Sequence, residues 1–556
     1  MTEKRKKKGI RPKGRSVNPV ALSEIDGLLG EQPLQRDLLI EQLHKIQDHY
    51  GYISADRLVA LAERMKLAPV EVYEVASFYH HFDLIKEDEE VTPALTIRVC
   101  ESLSCQLSGA EKLTERLKES TNNNKIRIQK VSCVGRCAKA PIAVVGQNPV
   151  EQATVEKVIQ AVEVGEIVAT IPNATCFEAY KKSGGYQFIQ SCLAGEKTAE
   201  SIIDQLDASG LRGLGGAGFP VARKWRIVRD QPAPRLMAVN IDEGEPGTFK
   251  DRHYLEQDPH RFLEGMLIAA WAVGIETIYI YLRDEYAGCR QLLERELAAL
   301  KDSPPVDQLP TIYLRRGAGA YICGEESAMI ESLEGKRGMP RLRPPFLAQK
   351  GLFGRPTLEH NMESLYWVRE LLEKGAKWFT EQGLNGRKGL RSFSVSGRVN
   401  KQGVHLAPAG ITVNALIEEY CGGMLEGHTF KAYLPGGASG GILPAHLGDI
   451  PLDFDTLNEQ GCFIGSAAVI VLSDQDSVRD AALNLMRFFE HESCGQCTPC
   501  RAGTEKAARL MEAPCWDKAK LNDLSQVMID ASICGLGQAA PNPLLSVLKY
   551  FPEEVS

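Results

Sequence analysis

The run SCGQCTPCR, Ser493–Arg501, places Cys494, Cys497 and Cys500 with two residues between neighbours, and Cys534 follows alone in SICGLGQ, Ser532–Gln538. Three thiolates this close can wrap one corner of a cuboidal cluster, because a short loop turns its sulfurs inward, and a distant fourth closes the site. A four-cysteine zinc site more often shows two separated C-x2-C pairs, and a dithiol redox pair would leave two of the four cysteines unused. The pattern therefore favours a 4Fe-4S cluster. It sits in a helical stretch of about 80 residues that closes the chain.

Working towards the N-terminus, the texture before this stretch is short β runs with Gly and Pro turns, from Ser392 to about Val471, including Pro435-Gly436-Gly437. Before that, strands and helices alternate from about Ile171 to Gly383, with strands expected at Leu236–Asn240, Thr277–Leu282 and Thr311–Arg315. A smaller α/β unit begins at Leu95. There LTIRVC ends on Cys100, a helix is expected over Ala110–Leu117, and two further strands lie near Ile126 and Ile142. From Leu34 to Leu84 the pattern is helical: Leu39, Leu43, Ile46 and Tyr50 share one face, Leu58, Leu61 and Met65 another, and Pro69 suits a helix start.

A second cysteine set belongs to the smaller α/β unit. Cys100 and Cys105 form a C-x4-C pair, and Cys133 and Cys137 a C-x3-C pair in SCVGRC. Each pair follows an expected strand, so two loops at one end of a small sheet can converge. Four thiolates suit a 2Fe-2S cluster, and the spacing fits zinc as well. The other seven, Cys176, Cys192, Cys289, Cys323, Cys421, Cys462 and Cys515, show no pairing and are expected as small buried hydrophobes.

Three runs carry binding chemistry. SGLRGLGGAGFPVARKW, Ser209–Trp225, brings Gly210, Gly213, Gly215, Gly216 and Gly218 together with Arg212, Arg223 and Lys224, so that backbone N–H groups can approach a phosphate. It lacks the strand-first context of a dinucleotide fingerprint and the P-loop lysine pattern, and alone it reads as well as a tight turn. VNIDEGEPGTFKDR, Val239–Arg252, leaves a strand and carries Asn240, Asp242, Glu243 and Glu245, acceptors for ring N–H groups and ribose hydroxyls. Ala318–Phe346 adds Tyr321, Gly324, Glu325 and Glu326. Either acidic run alone would read as a solvated loop or as helix N-terminal charge.

The 556 residues exceed what one core supports, and 44% hydrophobic with 25% charged residues is an ordinary globular balance. A net charge of −7 argues against nucleic acid as the main partner, because phosphate neutralisation needs a positive field. The local exception is KRKKKGIRPKGR, residues 4–15, eight basic side chains without an acid. It reads as a solvated, disordered arm. The N-terminus lacks the apolar core of a signal peptide, and no window reaches the roughly 18 apolar residues of a membrane span. A cytoplasmic chain is expected, without membrane insertion. Fifteen cysteines there call for metal or redox chemistry rather than disulfides.

Together, one glycine loop, two acidic loops and two cysteine sets, in this order, resemble the flavin-bearing, NADH-oxidising subunit of complex I and its soluble relatives, with the small thioredoxin-like iron-sulfur subunit fused in front. The resemblance covers nearly everything from about Leu34 onward. It implies a multidomain α/β protein: a disordered basic tail over 1–30, a helical bundle over 31–90, a thioredoxin-like 2Fe-2S ferredoxin domain over 91–168, an FMN- and NAD-binding α/β domain over 169–388, a β-grasp domain over 389–471, and a C-terminal helical 4Fe-4S bundle over 472–556. By motif, Gly213, Gly215, Gly216 and Lys224 would hold the FMN phosphate side, and Asn240, Asp242 and Glu243 would meet ribityl and ring atoms. Tyr321, Gly324, Glu325 and Asn361 would complete the pocket. Phe219, Glu245, Glu326 and Phe346 map onto the NADH contacts, with Glu245 and Glu326 as the catalytic carboxylates. Carboxylates facing the adenine ribose would repel a 2′-phosphate, so NAD is expected over NADP. The chain departs from the family at His360, where Asn is common, at Leu214, where Arg is common, and at Arg343, which keeps the charge of a common Lys.

The implied chemistry is hydride exchange between nicotinamide and flavin, followed by single-electron transfer through the 4Fe-4S cluster to a partner. No motif suggests a site for a second substrate. The fused architecture, all eight ligand cysteines, and the runs LRRGAGAYICGEES and DASICGLGQAA look most like the beta subunit of molybdenum- or tungsten-containing NAD-dependent formate dehydrogenases, which pair with a large formate-oxidising alpha subunit. The diaphorase subunit of NAD-reducing hydrogenases is the nearest rival, and a complex I fusion comes third. A reading from another class is a scaffold with two structural zinc ions.

Overall fold

The computed structural model describes every residue except 1–14, 32, 87–92 and 122–124. The basic stretch therefore lies, apart from Arg15, outside the described residues. The chain divides into two compact units: Met1–Thr92 with Glu334–Arg337, and Pro93–Leu333 with Gly338–Ser556.

The first unit is helical, with Pro19–Leu29, Leu39–Tyr50, Ala55–Met65 and Pro69–Ala76, and two short parallel strands, β1 (Ile53–Ser54) and β2 (Leu84–Ile85). Leu39, Leu43, Ile46, Leu58, Leu61 and Met65 are buried, as their spacing predicts. The expectation of disorder over 1–30 is corrected at Pro19–Leu29. Asn18 accepts the Val20 N–H at 2.9 Å, Pro19 occupies the first turn, and Ala21, Ile25 and Leu29 recur every four residues on a buried stripe. The basic residues before it concealed a capped amphipathic helix.

The second unit contains three sheets. The first has the order β4-β3-β5-β6, from β3 (Leu95–Cys100), β4 (Ile126–Val131), β5 (Ala143–Val145) and β6 (Asn148–Val150). β3 and β4 pair in parallel through the helix Ala110–Ser120, so both loops that carry cysteines leave the same sheet edge.

The second sheet is all parallel, in the order β10-β7-β8-β9, from β7 (Arg235–Ile241), β8 (Ile275–Leu282), β9 (Thr311–Arg316) and β10 (Thr357–Asn361). Its crossovers include the helices Pro259–Val273 and Ala287–Asp302. The chain runs β7, β8, β9 in one direction and then returns to place β10 on the other side of β7. That reversal makes a switch point between β7 and β10, where the two outgoing loops diverge and leave a crevice at the carboxyl ends. Asn240 and Asn361 face each other in register there.

The third sheet is mixed, in the order β12-β11-β15-β13-β14, from β11 (Leu390–Gly397), β12 (Gly403–Pro408), β13 (Phe430–Leu434), β14 (Leu443–Pro444) and β15 (Ala468–Ser473). The helices Val478–His491, Thr498–Met511, Lys518–Ala531 and Asn542–Tyr550 follow. Among the described residues no helix is long and apolar enough to cross a membrane.

Candidate functional site

Gly213 donates its N–H to Phe219 O at 2.8 Å, and Leu214 N–H donates to the Ser364 hydroxyl at 2.8 Å, which pins the glycine loop over the start of the helix that follows β10. A Cβ on Gly215 would stand 3.0 Å from Asn361 Cβ, so the loop lies directly on the switch point. Gly216 and Gly218 have φ of +120° and +64°, and a Cβ on Gly218 would stand 2.7 Å from the Phe454 ring. Leu214 is buried.

Two strand-end asparagines hold the acidic loops. Asn240 donates through Nδ2 to Gly324 O at 2.9 Å and accepts the Asp242 N–H at 3.0 Å. Asn361 donates to Asp251 at 2.6 Å, and Lys250 is buried between Asp251 at 2.8 Å and Glu363 at 3.0 Å. Glu243 caps the helix Lys250–Gln257 by accepting the Asp251 and Arg252 N–H groups at 2.8 and 3.2 Å, and it also accepts the Tyr286 hydroxyl at 2.8 Å. Burial, reinforced by Asp251, pushes its carboxyl up to about 7. The Glu243 side chain, expected against the flavin, is thus a carboxyl already engaged with protein donors. Asp242 differs. Its Oδ2 is buried with no hydrogen-bond partner among the described residues, and burial holds its carboxyl well above the usual range. A buried, unpaired acceptor at a switch point suits a ligand N–H or hydroxyl.

Glu245 accepts the Ser439 N–H at 2.9 Å and the Ser439 hydroxyl, and Ser466 donates to its other oxygen at 3.3 Å, so the third sheet closes over this loop. Glu325 caps the helix Glu326–Leu333 through the Ser327 and Ala328 N–H groups, both at 2.9 Å, and pairs with Arg343. Arg343 reaches Glu326 at 2.9 Å. Burial, then the charge of Glu359, raises the Glu326 carboxyl. Lys224 donates to the Glu359 carboxylate and to Glu359 O, both at 3.0 Å. Burial opposes its charge, and Glu359 and Glu326 outweigh that and raise its pKa. Phe219 and Phe346 are 38% and 53% exposed, large aromatic faces open to a ring. His360 is buried, accepts the Trp225 indole N–H at 2.7 Å, and is held neutral by burial and by Lys224.

Both cysteine sets converge. Cys100, Cys105, Cys133 and Cys137 are all buried, and Sγ of Cys133 lies 3.3 Å from Sγ of Cys137. Hydrogen bonds from Cys100 and Cys137 hold the Cys133 thiol well below its usual range, while their own thiols are pushed well above it. All fifteen cysteines are free. Four buried thiols in mutual contact cannot all ionise without a cation among them. Cys494, Cys497, Cys500 and Cys534 line one cavity with Ile322 and Pro340, and Gly537 lets the Cys534 turn close onto Cys500, since a Cβ there would stand 2.8 Å from Cys500 Cβ. The expectation that the other seven are buried is corrected at Cys176 and Cys515, which are exposed, Cys176 at a helix N-cap and Cys515 in an interhelical turn.

The turn Tyr321–Gly324 touches both regions. Its Gly324 carbonyl receives Asn240, its Tyr321 ring lies against Gly244, and its Ile322 lines the cysteine cavity. Glu492, two residues before Cys494, accepts the Tyr321 N–H at 3.0 Å and the Ser132 hydroxyl at 2.7 Å, next to Cys133. Sequence reasoning missed Glu492, Ser364, Ser439 and Arg283, whose partners lie tens to hundreds of positions away. It also passed over Lys250, which lies inside the first acidic run.

Three families match the chain: Nuo51 FMN-binding domain over residues 206–370, Thioredoxin-like [2Fe-2S] ferredoxin over 25–165, and NADH-ubiquinone oxidoreductase-F iron-sulfur binding region over 480–556. The F-type subunit of NADH-quinone oxidoreductase from Rhizobium meliloti (strain 1021), in its F 2 form, is 40% identical over 398 residues, 69% of this chain and 94% of that protein. The F-type subunit from Aquifex aeolicus (strain VF5) is 40% identical over 396 residues, 69% of this chain and 91% of that one. Among solved structures, a chain of NAD+-reducing [NiFe]-hydrogenase in the air-oxidized state matches with a TM-score of 0.81 and 29% identity, covering 94% of each chain. The H2-reduced state gives 0.83 and 30%, covering 94% of this chain and 93% of that one.

Proposed function

The chain belongs to the family of the F-type subunit of NADH-quinone oxidoreductase, carried with a thioredoxin-like [2Fe-2S] ferredoxin part on the same chain, and on that premise we propose that it is the NAD(H)-linked diaphorase subunit of a larger soluble oxidoreductase. The observation that carries the reading is the Tyr321–Gly324 turn, one end on the switch-point loops and the other on the four-cysteine cavity. Bound FMN supplies hydride exchange with a nicotinamide and the splitting of an electron pair into single electrons. In this reading the glycine loop, with Gly213, Gly215, Gly216 and Lys224, receives the phosphate side. Asn240, Asp242, Tyr321, Gly324 and Asn361 line the ring and ribityl region, where the unpaired Asp242 oxygen accepts from the ligand.

Glu245, Glu326, Phe219 and Phe346 would position the dinucleotide. The two aromatic faces stack, Glu326 accepts from ribose hydroxyls while Arg343 moderates its charge, and Glu245, held by Ser439, excludes water beside the nicotinamide. No acid-base step on the substrate is needed, so orientation carries the rate. Cys494, Cys497, Cys500 and Cys534 would hold the 4Fe-4S cluster, and Cys100, Cys105, Cys133 and Cys137 the 2Fe-2S cluster.

The partner in this proposal is a large molybdenum- or tungsten-containing subunit that oxidises formate, paired with this chain in the cytoplasm; the complete second cysteine set and the runs around Tyr321 and Cys534 support it. A hydrogen-oxidising partner has its own support, the likeness to a hydrogenase chain over 94% of both lengths. A complex I assembly is supported by the NADH-quinone oxidoreductase relatives. Purifying the chain with its large subunit and asking whether formate or hydrogen reduces NAD+ separates the three. Formate-dependent NADH formation is the expected result, and NADH formation with hydrogen alone, or with neither, replaces the formate assignment.

A further inference from the structure

Arg283 follows β8 and is 4% exposed. Its Nη2 donates to the carbonyl of Cys133 at 2.6 Å, and its Nη1 donates to the carbonyl of Glu243. One guanidinium thus ties the 133–137 loop of the small cysteine domain to the acidic loop at the switch point. A second buried arginine, Arg252, donates to Gly135 O at 2.9 Å in the same loop. Gly135, with φ of +71°, admits Tyr286 so closely that a Cβ would stand 2.1 Å from its hydroxyl oxygen. The 133–137 loop is therefore clasped by two buried cations, one from the helix Lys250–Gln257 and one from the end of β8.

Both counter-charges lie nearer solvent than the cations they pair with. Arg252 is paired with Glu256 at 2.5 Å, a carboxylate 23% exposed beside a guanidinium side chain 10% exposed. Arg283 is paired with Glu285 at 3.0 Å, but that carboxylate is 28% exposed while the guanidinium side chain is 4% exposed. Solvent screens the Glu285 charge more than the Arg283 charge, so Glu285 offsets the positive field of Arg283 at the Cys133 carbonyl only in part. Arginine stays protonated under any physiological condition, so this field is permanent.

We propose that Arg283 is a positioning residue that sets the reduction potential of the cluster held by Cys100, Cys105, Cys133 and Cys137, its fixed charge favouring the reduced, more negative state, while it fastens the cluster loop to the switch-point loop. The proposal rests on the reading of these four cysteines as 2Fe-2S ligands. A four-thiolate cluster gains one negative charge on reduction, and a buried cation hydrogen-bonded to a ligand residue's own carbonyl stabilises that added charge.

The test is an EPR-monitored redox titration of the full-length holoprotein. In Arg283→Gln the ratio of reduced to oxidised 2Fe-2S cluster at a fixed ambient potential falls at least tenfold, a shift of about 59 mV for a one-electron couple. Arg283→Lys keeps most of the wild-type value. Glu285→Gln leaves the Arg283 hydrogen bonds to Cys133 and Glu243 in place and shifts the midpoint the other way. The 4Fe-4S midpoint and the iron content stay unchanged. If Arg283→Gln loses the cluster, Glu285→Gln decides alone. An unshifted or lowered midpoint in Glu285→Gln, or an unshifted one in an iron-replete Arg283→Gln, overturns the proposal. A wild-type protein without a 2Fe-2S signal overturns instead the ligand assignment beneath it.

Discussion

The Trp225 indole N–H donates to Nε2 of His360 at 2.7 Å, and both side chains are buried. His360 thus faces Trp225. The contact requires a neutral imidazole with Nε2 as acceptor, and burial, then the charge of Lys224, holds the ring well below its ordinary pKa.

A pH dependence follows. The unfolded chain binds a proton at His360 near pH 6.5 that the folded chain refuses, so the stabilisation is complete above that pH and is lost as pH falls through it. His360→Leu strands the indole N–H and should cost about 1–3 kcal/mol at pH 7.5. In denaturant titrations the gap between the two proteins narrows towards pH 5. A gap independent of pH would contradict the neutral-imidazole assignment.

Gly215→Ala places a methyl 3.0 Å from Asn361 Cβ at the switch point. Overpacking of this kind costs about 1–3 kcal/mol, and the loop relieves it by lifting from the crevice. FMN affinity should fall roughly tenfold or more, measured by fluorescence of released flavin, with iron unchanged. Undiminished FMN retention would place the flavin elsewhere.

How much was readable in advance varies with the chemistry of each element. β7, β8 and β9 announced themselves as apolar, β-branched runs, and the parallel pairing of β3 and β4 is what lets two cysteine pairs with ordinary spacing meet. β10 was missed because its sequence, TLEHN, is polar. Glu359 and His360 are there to hold Lys224 and Trp225, partners 135 positions away that no local pattern announces. The motif residues around the glycine loop, Asp242 and Tyr321 do gather at one sheet edge. Glu243 was legible as an acid but not as a helix cap, because that role depends on where the chain turns after β7.

Glu326→Gln removes the charge paired with Arg343 and nothing from either cysteine set. NADH-driven dye reduction should fall at least tenfold in kcat/KM, about 1.4 kcal/mol of transition-state stabilisation, while FMN and iron stay at wild-type content. Unchanged turnover would remove Glu326 from the nucleotide site.

Cys497→Ala takes one thiol from the cavity that Ile322 lines. Electron transfer between NAD(H) and the partner subunit should stop, while the 2Fe-2S EPR signal persists. Normal coupled turnover would show that the four-cysteine cavity is not the conduit.

The central claim, that flavin and iron-sulfur chemistry meet on this one chain, is tested most directly by anaerobic titration of the purified protein with NADH, followed optically and by EPR. The account predicts a yellow-brown protein that bleaches with NADH, develops signals from both clusters under reduction, and releases FMN on denaturation. A colourless protein that holds two zinc ions and does not respond to NADH would contradict it.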